Sequence, residues 1–560
     1  MHAQLEEDEC QALLSPLAAT STIANRAQYD ALDKGLKNGA LRDGKPLDLL
    51  SLESLGLLAQ FAAVGLVSGV LPGMIYPVLQ GYLNAEGTII VSATLLVQLP
   101  WSFKVFFGIL SDCFPVGGYR RRPYMVLGWA FCCSMLLYMA ELDVPAPYFG
   151  DPSMHFRKPD DWTDAQRRSI NKDAPNAAGQ YVVPMMLAAF GYLVVEVSGD
   201  AMVIEHAQRE PLATRGQVQA AIHTVRMGFN ALGSLAVAVA FNGEEYGGEF
   251  DFSLTFPQMM LLLSFLFMPL IPVSWLFIHE ERVPEKRFSV YMRRFWEVIQ
   301  QRAVYQIAAY KFLSGVFNNF NIVASSNIKL DWVHATPFNS SVMAIFGSLV
   351  YAATLGLTGK FGLSWNWRVS IAVTVVFGVV IDGLMTMLTT WDIIRNQWFW
   401  LGVPIVSYIP DGVRFIVANY VVVELIEVGH EGALYGLLTT TANLASPFGR
   451  TAAKLINAHF HVWLGDIMRD TYEVRRDVTI TICICYGMKL VSLLFLPLLP
   501  RQKAETQEIR RSGGKSKLMG AVTVAYLSIA LMCSTAVNLL SMFETTKCWE
   551  ITGGCAPTRS

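Results

Sequence analysis

Residues 108–123 read Gly108-Ile-Leu-Ser-Asp112-Cys-Phe-Pro-Val-Gly-Gly-Tyr-Arg120-Arg121-Arg122-Pro123. An acid closes one apolar run, Gly117-Gly118 supplies a tight turn, and three arginines lead into a proline. Pro123 suits the first turn of a helix, where its missing N–H is not needed. The flanking apolar runs, 86–111 and 123–140, approach or exceed the roughly 20 residues needed to cross a bilayer. The segment therefore reads as a short loop between two membrane helices. Its arginines hold it on the cytosolic side, and Asp112 with those arginines is placed to lock neighbouring helices there.

Outward from this loop the pattern repeats. Apolar spans are expected at 55–80, 86–111, 123–140, 181–206, 218–240 and 256–278, and again at 303–323, 338–358, 367–389, 397–426, 433–458 and 477–500. The fold expected is all-α and polytopic, with six-helix bundles at 55–278 and 303–500 joined by a charged cytosolic linker, 279–302. Six plus six is the helix count of the major facilitator architecture. A further apolar run, 518–541, follows the basic linker 501–517 and exceeds that count. Residues 1–54 read as a poorly ordered cytosolic tail and 542–560 as a C-terminal tail. With the N-terminus in the cytosol, six basic residues lie between Arg282 and Arg302 and six between Arg501 and Lys517, as the positive-inside bias requires. The stretch 459–476, with Arg469, Arg475 and Arg476, is an exception on the opposite side.

Composition agrees. Of 560 residues 53% are hydrophobic and only 16% charged, against about 25% charged in soluble domains. The mean hydropathy is +0.38. Forty-three basic residues against 45 acidic ones give a net charge of −2, which argues against a nucleic-acid partner. Nine scattered cysteines make no disulfide framework, although Cys548 and Cys555 could pair on an oxidising side. No metal set, P-loop or dinucleotide fingerprint is present, so no enzyme, cofactor or metal is expected. The match Asn339-Ser340-Ser341 is a weak glycosylation signal near the outer end of the eighth span.

Charges inside spans mark cavities, partners or solute paths. Lys104, Arg226 and Lys311 lie on three different helices, and their convergence would line a cavity for an anionic solute. Asp411 and Arg414 share a helix face and form either a structural ion pair or an anion contact with its balancing acid. Pro410, just before them, is expected to kink or interrupt that helix near mid-membrane. Glu196 and Asp200, four residues apart, raise each other's proton affinity. They are candidates for proton coupling, with Asp382 as a lone third, or they form a brace with Arg226 or His223. Arg450 and Lys489 are further charges inside spans, or else they mark helix ends from which they reach the headgroups.

The stretch Pro100-Trp-Ser-Phe-Lys104 through Gly108 and Asp112 to Tyr124 resembles the signature of the folate–biopterin transporter family of the major facilitator superfamily. The likeness continues through Asp200-Ala-Met-Val-Ile-Glu205, Ala207-Gln-Arg-Glu-Pro211, Arg215-Gly-Gln, Lys311-Phe-Leu and Asn443-Leu-Ala-Ser-Pro447. Leu499-Pro-Arg-Gln-Lys-Ala-Glu505-Thr resembles kinetoplastid members. The resemblance spans roughly 55–541. It implies a monomeric plasma-membrane carrier of folates or pterins, coupled to protons. By the same similarity Gly108, Asp112, Arg120 and Arg122 take the gating role. The family also contains an S-adenosylmethionine carrier, and the residues do not separate the three substrates. A receptor or scaffold that keeps the fold without moving solute is the alternative of another class.

Overall fold

The computed structural model describes residues 39–540 except 50, 86, 157–161, 286, 323, 458 and 463, together with 546 and 549. Most of the expected N-terminal tail, and both Cys548 and Cys555, lie outside the described residues. Every regular element among those described is a helix, apart from isolated β-bridges. The first half comprises α1 (Leu52–Ile75), α2 (Gly87–Gln98), α3 (Lys104–Cys113), α4 (Arg122–Ala140), α5 (Ala178–Arg209), α6 (Gln217–Ala240), α7 (Phe256–Phe267) and α8 (Leu270–Leu276). An amphipathic helix, α9 (Phe288–Ile299), leads to the second half: α10 (Arg302–Asn318), α11 (Pro337–Phe361), α12 (Trp367–Thr390), α13 (Gln397–Leu425), α14 (Glu431–Asn457) and α15 (Tyr472–Val491). Two more helices follow, the short polar α16 (Lys503–Ser512) and the apolar α17 (Lys517–Leu540).

Ten helical stretches among the described residues are long and apolar enough to cross a membrane, α17 included. Those of α6, α10 and α14 are not among them. The reason is where these three pack. α6 lies against α1 and, across the two halves, against α11; α14 lies against α10 and, across the halves, against α3. A helix walled in by protein does not need an apolar coat, and polar residues can face inward. The two largest apolar cores among the described residues follow the halves. One is built from residues between Leu57 and Ile278. The other is built from the second half with α17, and it also takes in Cys113, Ile204, Ala207 and Ala220 from the first.

Backbones come close where α1 crosses α6. A Cβ on Gly65, Gly69 or Gly233 would overlap the carbonyl of Arg226, Asn230 or Leu66 respectively. Small residues allow this approach between membrane helices.

The helix break lies elsewhere than expected. α13 runs unbroken through Pro410, whose ring packs toward Gly378. An interruption occurs instead in the second span, where Leu99–Phe103 forms a 3₁₀ turn around Pro100 between α2 and α3. Pro100 has no N–H to give, and the side-chain amide of Asn443 on α14 donates to the carbonyl of Trp101 at 3.0 Å. A backbone acceptor loosened by the break is thus satisfied from the other half.

One of the arginines that broke the charge pattern at 459–476 also finds a place. Arg395 donates to Asp470 at 2.7 and 2.9 Å, and Arg475 donates to the same carboxylate at 2.9 and 2.8 Å. Burial would raise the pKa of Asp470, but the bonds from Arg395 and Arg475 outweigh it and hold the value down at about 2. A depressed carboxylate stabilises the fold above its unfolded pKa of about 3.9 and loses that contribution as pH falls toward 2.

Two outcomes are expected. Gly69→Val should cost about 1–3 kcal/mol by overpacking the α1–α6 crossing, read as a fall of several degrees in the melting temperature of detergent-solubilised protein. Asp470→Asn should also lower that melting temperature at pH 7, and the gap between variant and wild type should hold at pH 5.

Candidate functional site

Two cavities lie inside the helix bundle. The first, about 470 Å³, is walled by α10, α11, α12, α13, α14 and α15, and its lining includes Lys311, Asp382, Asp411, Arg414 and Lys489. The second, about 500 Å³, lies between the halves and is lined by residues of both, among them Trp101, Arg226, Asn230, Ser446 and Arg450, with Ser534 from α17. Asn319, Ala442 and Asn443 belong to both walls, so the cavities adjoin at Asn443. The broken turn at Pro100 puts Trp101 and Ser102 on this boundary.

Of the cations expected to converge, Lys311 and Arg414 share the first cavity, Arg226 lines the second, and Lys104 lines neither. Arg414 donates to Asn318 at 2.8 Å. Asp411 stands exposed on the cavity wall. Lys311 has no hydrogen-bond or ion-pair partner among the described residues. Asp382 accepts from Ser407 at 3.3 Å and lies 4.0 Å from the Lys489 ammonium. Ring faces of Tyr351 and Phe415 line the same space.

Lys104 is instead buried in a four-charge cluster. Its ammonium lies 3.0 Å from Glu196 and 3.4 Å from Asp200, while Arg226 reaches Glu196 at 3.4 Å. The indole of Trp101 lies beneath both cations, at 4.6 and 5.1 Å. Of the two braces open for Glu196 and Asp200, Arg226 is the one formed. His223 packs edge-on between Phe61 and Phe415. Two carboxylates balance two cations, and one oxygen of Asp200 is buried with no hydrogen-bond partner.

A second constellation closes the basic face. The Asp112 carboxylate accepts from Arg121 at 2.6 Å, from the Tyr291 hydroxyl at 3.1 Å and from the backbone N–H groups of Gly432 and Ala433 at 3.2 and 2.8 Å. An acid of α3 thereby caps the N-terminus of α14, where free N–H groups and the helix dipole favour a negative charge. Glu431, fully buried, lies within 3.1–3.5 Å of Arg42, Arg120 and Arg121. Glu205 adds contacts to Arg42 at 3.1 Å and Arg120 at 3.7 Å. Glu280 accepts from the backbone N–H groups of residues 120, 121 and 122. The close approach is possible because residue 108 is glycine; a Cβ there would overlap the Gly432 carbonyl.

Gly108, Asp112 and Arg120 thus sit in one lock. Arg122 does not. It stacks on Tyr119 and Trp275 and donates to the Trp275 carbonyl, whereas Arg121 makes the ion pair with Asp112. In a run of three arginines the sequence cannot tell which one turns inward. Glu205, Glu424 and Glu431 were not singled out, since each sits at a helix end where a solvated charge is ordinary. Asn339, the sequon residue, lies in the first turn of α11 and donates to Gln397 at 3.0 Å.

The comparisons with known proteins agree with this geometry. The model of the BT1 family matches residues 65–144, which hold the broken turn and the Asp112 loop. A "Folate-biopterin transporter" of Synechocystis is 22% identical over 412 residues, 72% of each chain. A "Folate transporter 1" of Plasmodium falciparum is 39% identical over 41 residues, 7% of this chain and 8% of its own. The solved structure of a proton:xylose symporter of the major facilitator superfamily superposes with a TM-score of 0.52 at 11% identity, covering 82% of this chain and 98% of its own. The chain is thus similar to a folate–biopterin transporter over most of its length and shares the fold of the solved symporter. Its halves are those of the facilitator fold, and α17 is a helix beyond the six-plus-six set.

The lock makes a testable demand. Glu431→Gln leaves three arginines facing one fewer carboxylate, and breaking a buried pair costs about 3–5 kcal/mol. If the lock holds the basic face shut, labelling of Ser446→Cys by a membrane-impermeant thiol reagent from the opposite side should fall about tenfold or more in that variant. Labelling equal to that of the parent would show that Glu431 does not bias the opening.

Proposed function

We propose that this protein is a secondary active transporter that carries folate- or biopterin-type pteridines across the plasma membrane by alternating access, driven by protons. The observation that carries the reading is the first cavity, where Lys311, Arg414 and the rings of Tyr351 and Phe415 meet in one space. A carboxylate tail pairs with the cations, and a planar pterin ring stacks on the aromatics. The names of the relatives point the same way. The likeness to kinetoplastid members rests on 499–506 alone.

Glu196 and Asp200 are the proposed coupling site, with Asp382 a further acid on the cavity wall. In the cluster with Lys104 and Arg226, adding a proton to Asp200 leaves one cation unbalanced. That surplus loosens the contact between α3 and α5, which links proton uptake to movement of the second span. The lock of Gly108, Asp112, Arg120 and Arg121 with Glu431 holds the basic face closed while the cavities face the other side.

A second reading has its own support. Asp411 offers a carboxylate beside Arg414 in the same cavity, and S-adenosylmethionine presents a sulfonium and a carboxylate together.

The test is uptake of labelled folic acid, biopterin and S-adenosylmethionine into cells lacking their own carriers, with and without a proton gradient. Folic acid or biopterin uptake that rises with the gradient is expected. Arg414→Ala should lower it about tenfold or more at unchanged surface abundance, the scale of one lost charge-assisted contact. Glu196→Gln should abolish the dependence on the gradient. Accumulation of S-adenosylmethionine alone would favour the second reading, and no flux of any of the three would favour a receptor or scaffold.

A further inference from the structure

The cations that line the two cavities are not equally available. At ordinary charges Arg226 belongs to the cluster in which Glu196 and Asp200 balance it and Lys104. Lys489 faces Asp382. That leaves Lys311 and Arg414 against Asp411 in the first cavity, and Arg450 alone in the second. Arg450 is exposed to that space and has no hydrogen-bond or ion-pair partner among the described residues. Each cavity therefore carries one surplus positive charge.

Arg450 does not stand at random on its helix. Thr439, Asn443, Ser446 and Arg450 follow the spacing of one α14 face. Thr439 lines the first cavity, Asn443 both, and Ser446 and Arg450 the second. Seven residues separate Asn443 from Arg450, about 10 Å along the helix axis. A helix-end arginine that only reached for headgroups would leave the interior, whereas this one shares a wall with Trp101 and Arg226.

We infer that Arg450 is a second anion anchor, and that the solute is selected as a dianion with one negative group on each side of Asn443. The inference rests on the transport reading above and deepens it. A pteridine with two carboxylates satisfies both surpluses, one with a single carboxylate satisfies one, and an uncharged pterin satisfies neither.

The experiment compares uptake of folic acid (two carboxylates), pteroic acid (one) and biopterin (none) by wild type, Arg450→Gln and Arg450→Lys, with surface abundance measured in parallel. Arg450→Gln should raise KM for folic acid about tenfold while changing KM for pteroic acid and biopterin less than about twofold, with kcat kept. Arg450→Lys should recover most of the preference for folic acid. If Arg450→Gln does not reach the surface, Arg450→His takes its place, and its folic-to-pteroic acid preference should be present at pH 5.5 and lost at pH 8. Equal changes for all three substrates, or none, would overturn the anchor and leave the transport reading intact. Failure of wild type to carry any of the three would overturn both.

Discussion

The structure turns on one carboxylate. Asp112 ends a helix of the first half and receives two backbone N–H groups from the start of a helix of the second, with Arg121 and Tyr291 completing its partners. A buried acid needs such company, since desolvating it costs several kcal/mol unless its lone pairs are filled. The company comes from both halves, so the bond exists only while the basic face is shut. On the same face the apolar ends of α3, α5 and α6 join the core of the second half. Electrostatics and packing therefore close one side together, and the interior space left between the halves holds the second cavity, which adjoins the first at Asn443.

The same rule, that charge in a membrane protein must be balanced or wet, separates two kinds of site. Lys104, Arg226, Glu196 and Asp200 balance one another and line little open space. Lys311, Arg414, Asp411 and Arg450 line open space and are not so balanced. The first kind suits a role that depends on changing a proton, because a single protonation unbalances it. The second suits contact with a charged solute, because the solute supplies the missing partner.

Much of this was legible in the sequence. Helix positions follow from hydropathy, and Asp112 with its neighbouring arginines from a single loop, because both depend on local composition; Gly108 and Arg120 came with the family resemblance. Arg121 was hidden behind Arg122, because three adjacent arginines point three ways and only packing selects one. The helix break was expected at Pro410 and occurs at Pro100. Proline removes a donor in either place; beside Pro100, α14 supplies partners to the broken turn, with Asn443 donating to the Trp101 carbonyl and Thr440 accepting from the Val105 N–H. Charge pairing across a gap of 92 residues, as in Lys104 with Glu196, leaves no pattern in spacing. Nor does the surplus at Arg450, which exists only by subtraction once every other pair is known.

Closure of the basic face also draws on segments outside the helices of the two halves. Leu41 and Arg42 donate their backbone N–H groups to Gln208, and the Arg42 side chain joins Glu205 to Glu431. Arg215, in the loop before α6, holds Glu424 on α13 at 2.8 Å and also donates to the carbonyl of Gly39. From the other end of the chain, Lys503 donates to the carbonyls of Leu212 and Arg215 in the first half, while Gln507 donates to Glu424 in the second at 2.7 Å. α16 is therefore a crossbar between the halves, and α17 continues it along α14, α10 and α2. Any motion that opens this face must strip partners from buried Glu424 and Glu431 together. That cost falls on parting the halves at this face, so on the proposed transport reading the extra C-terminal helices and the segment before α1 favour the closed state.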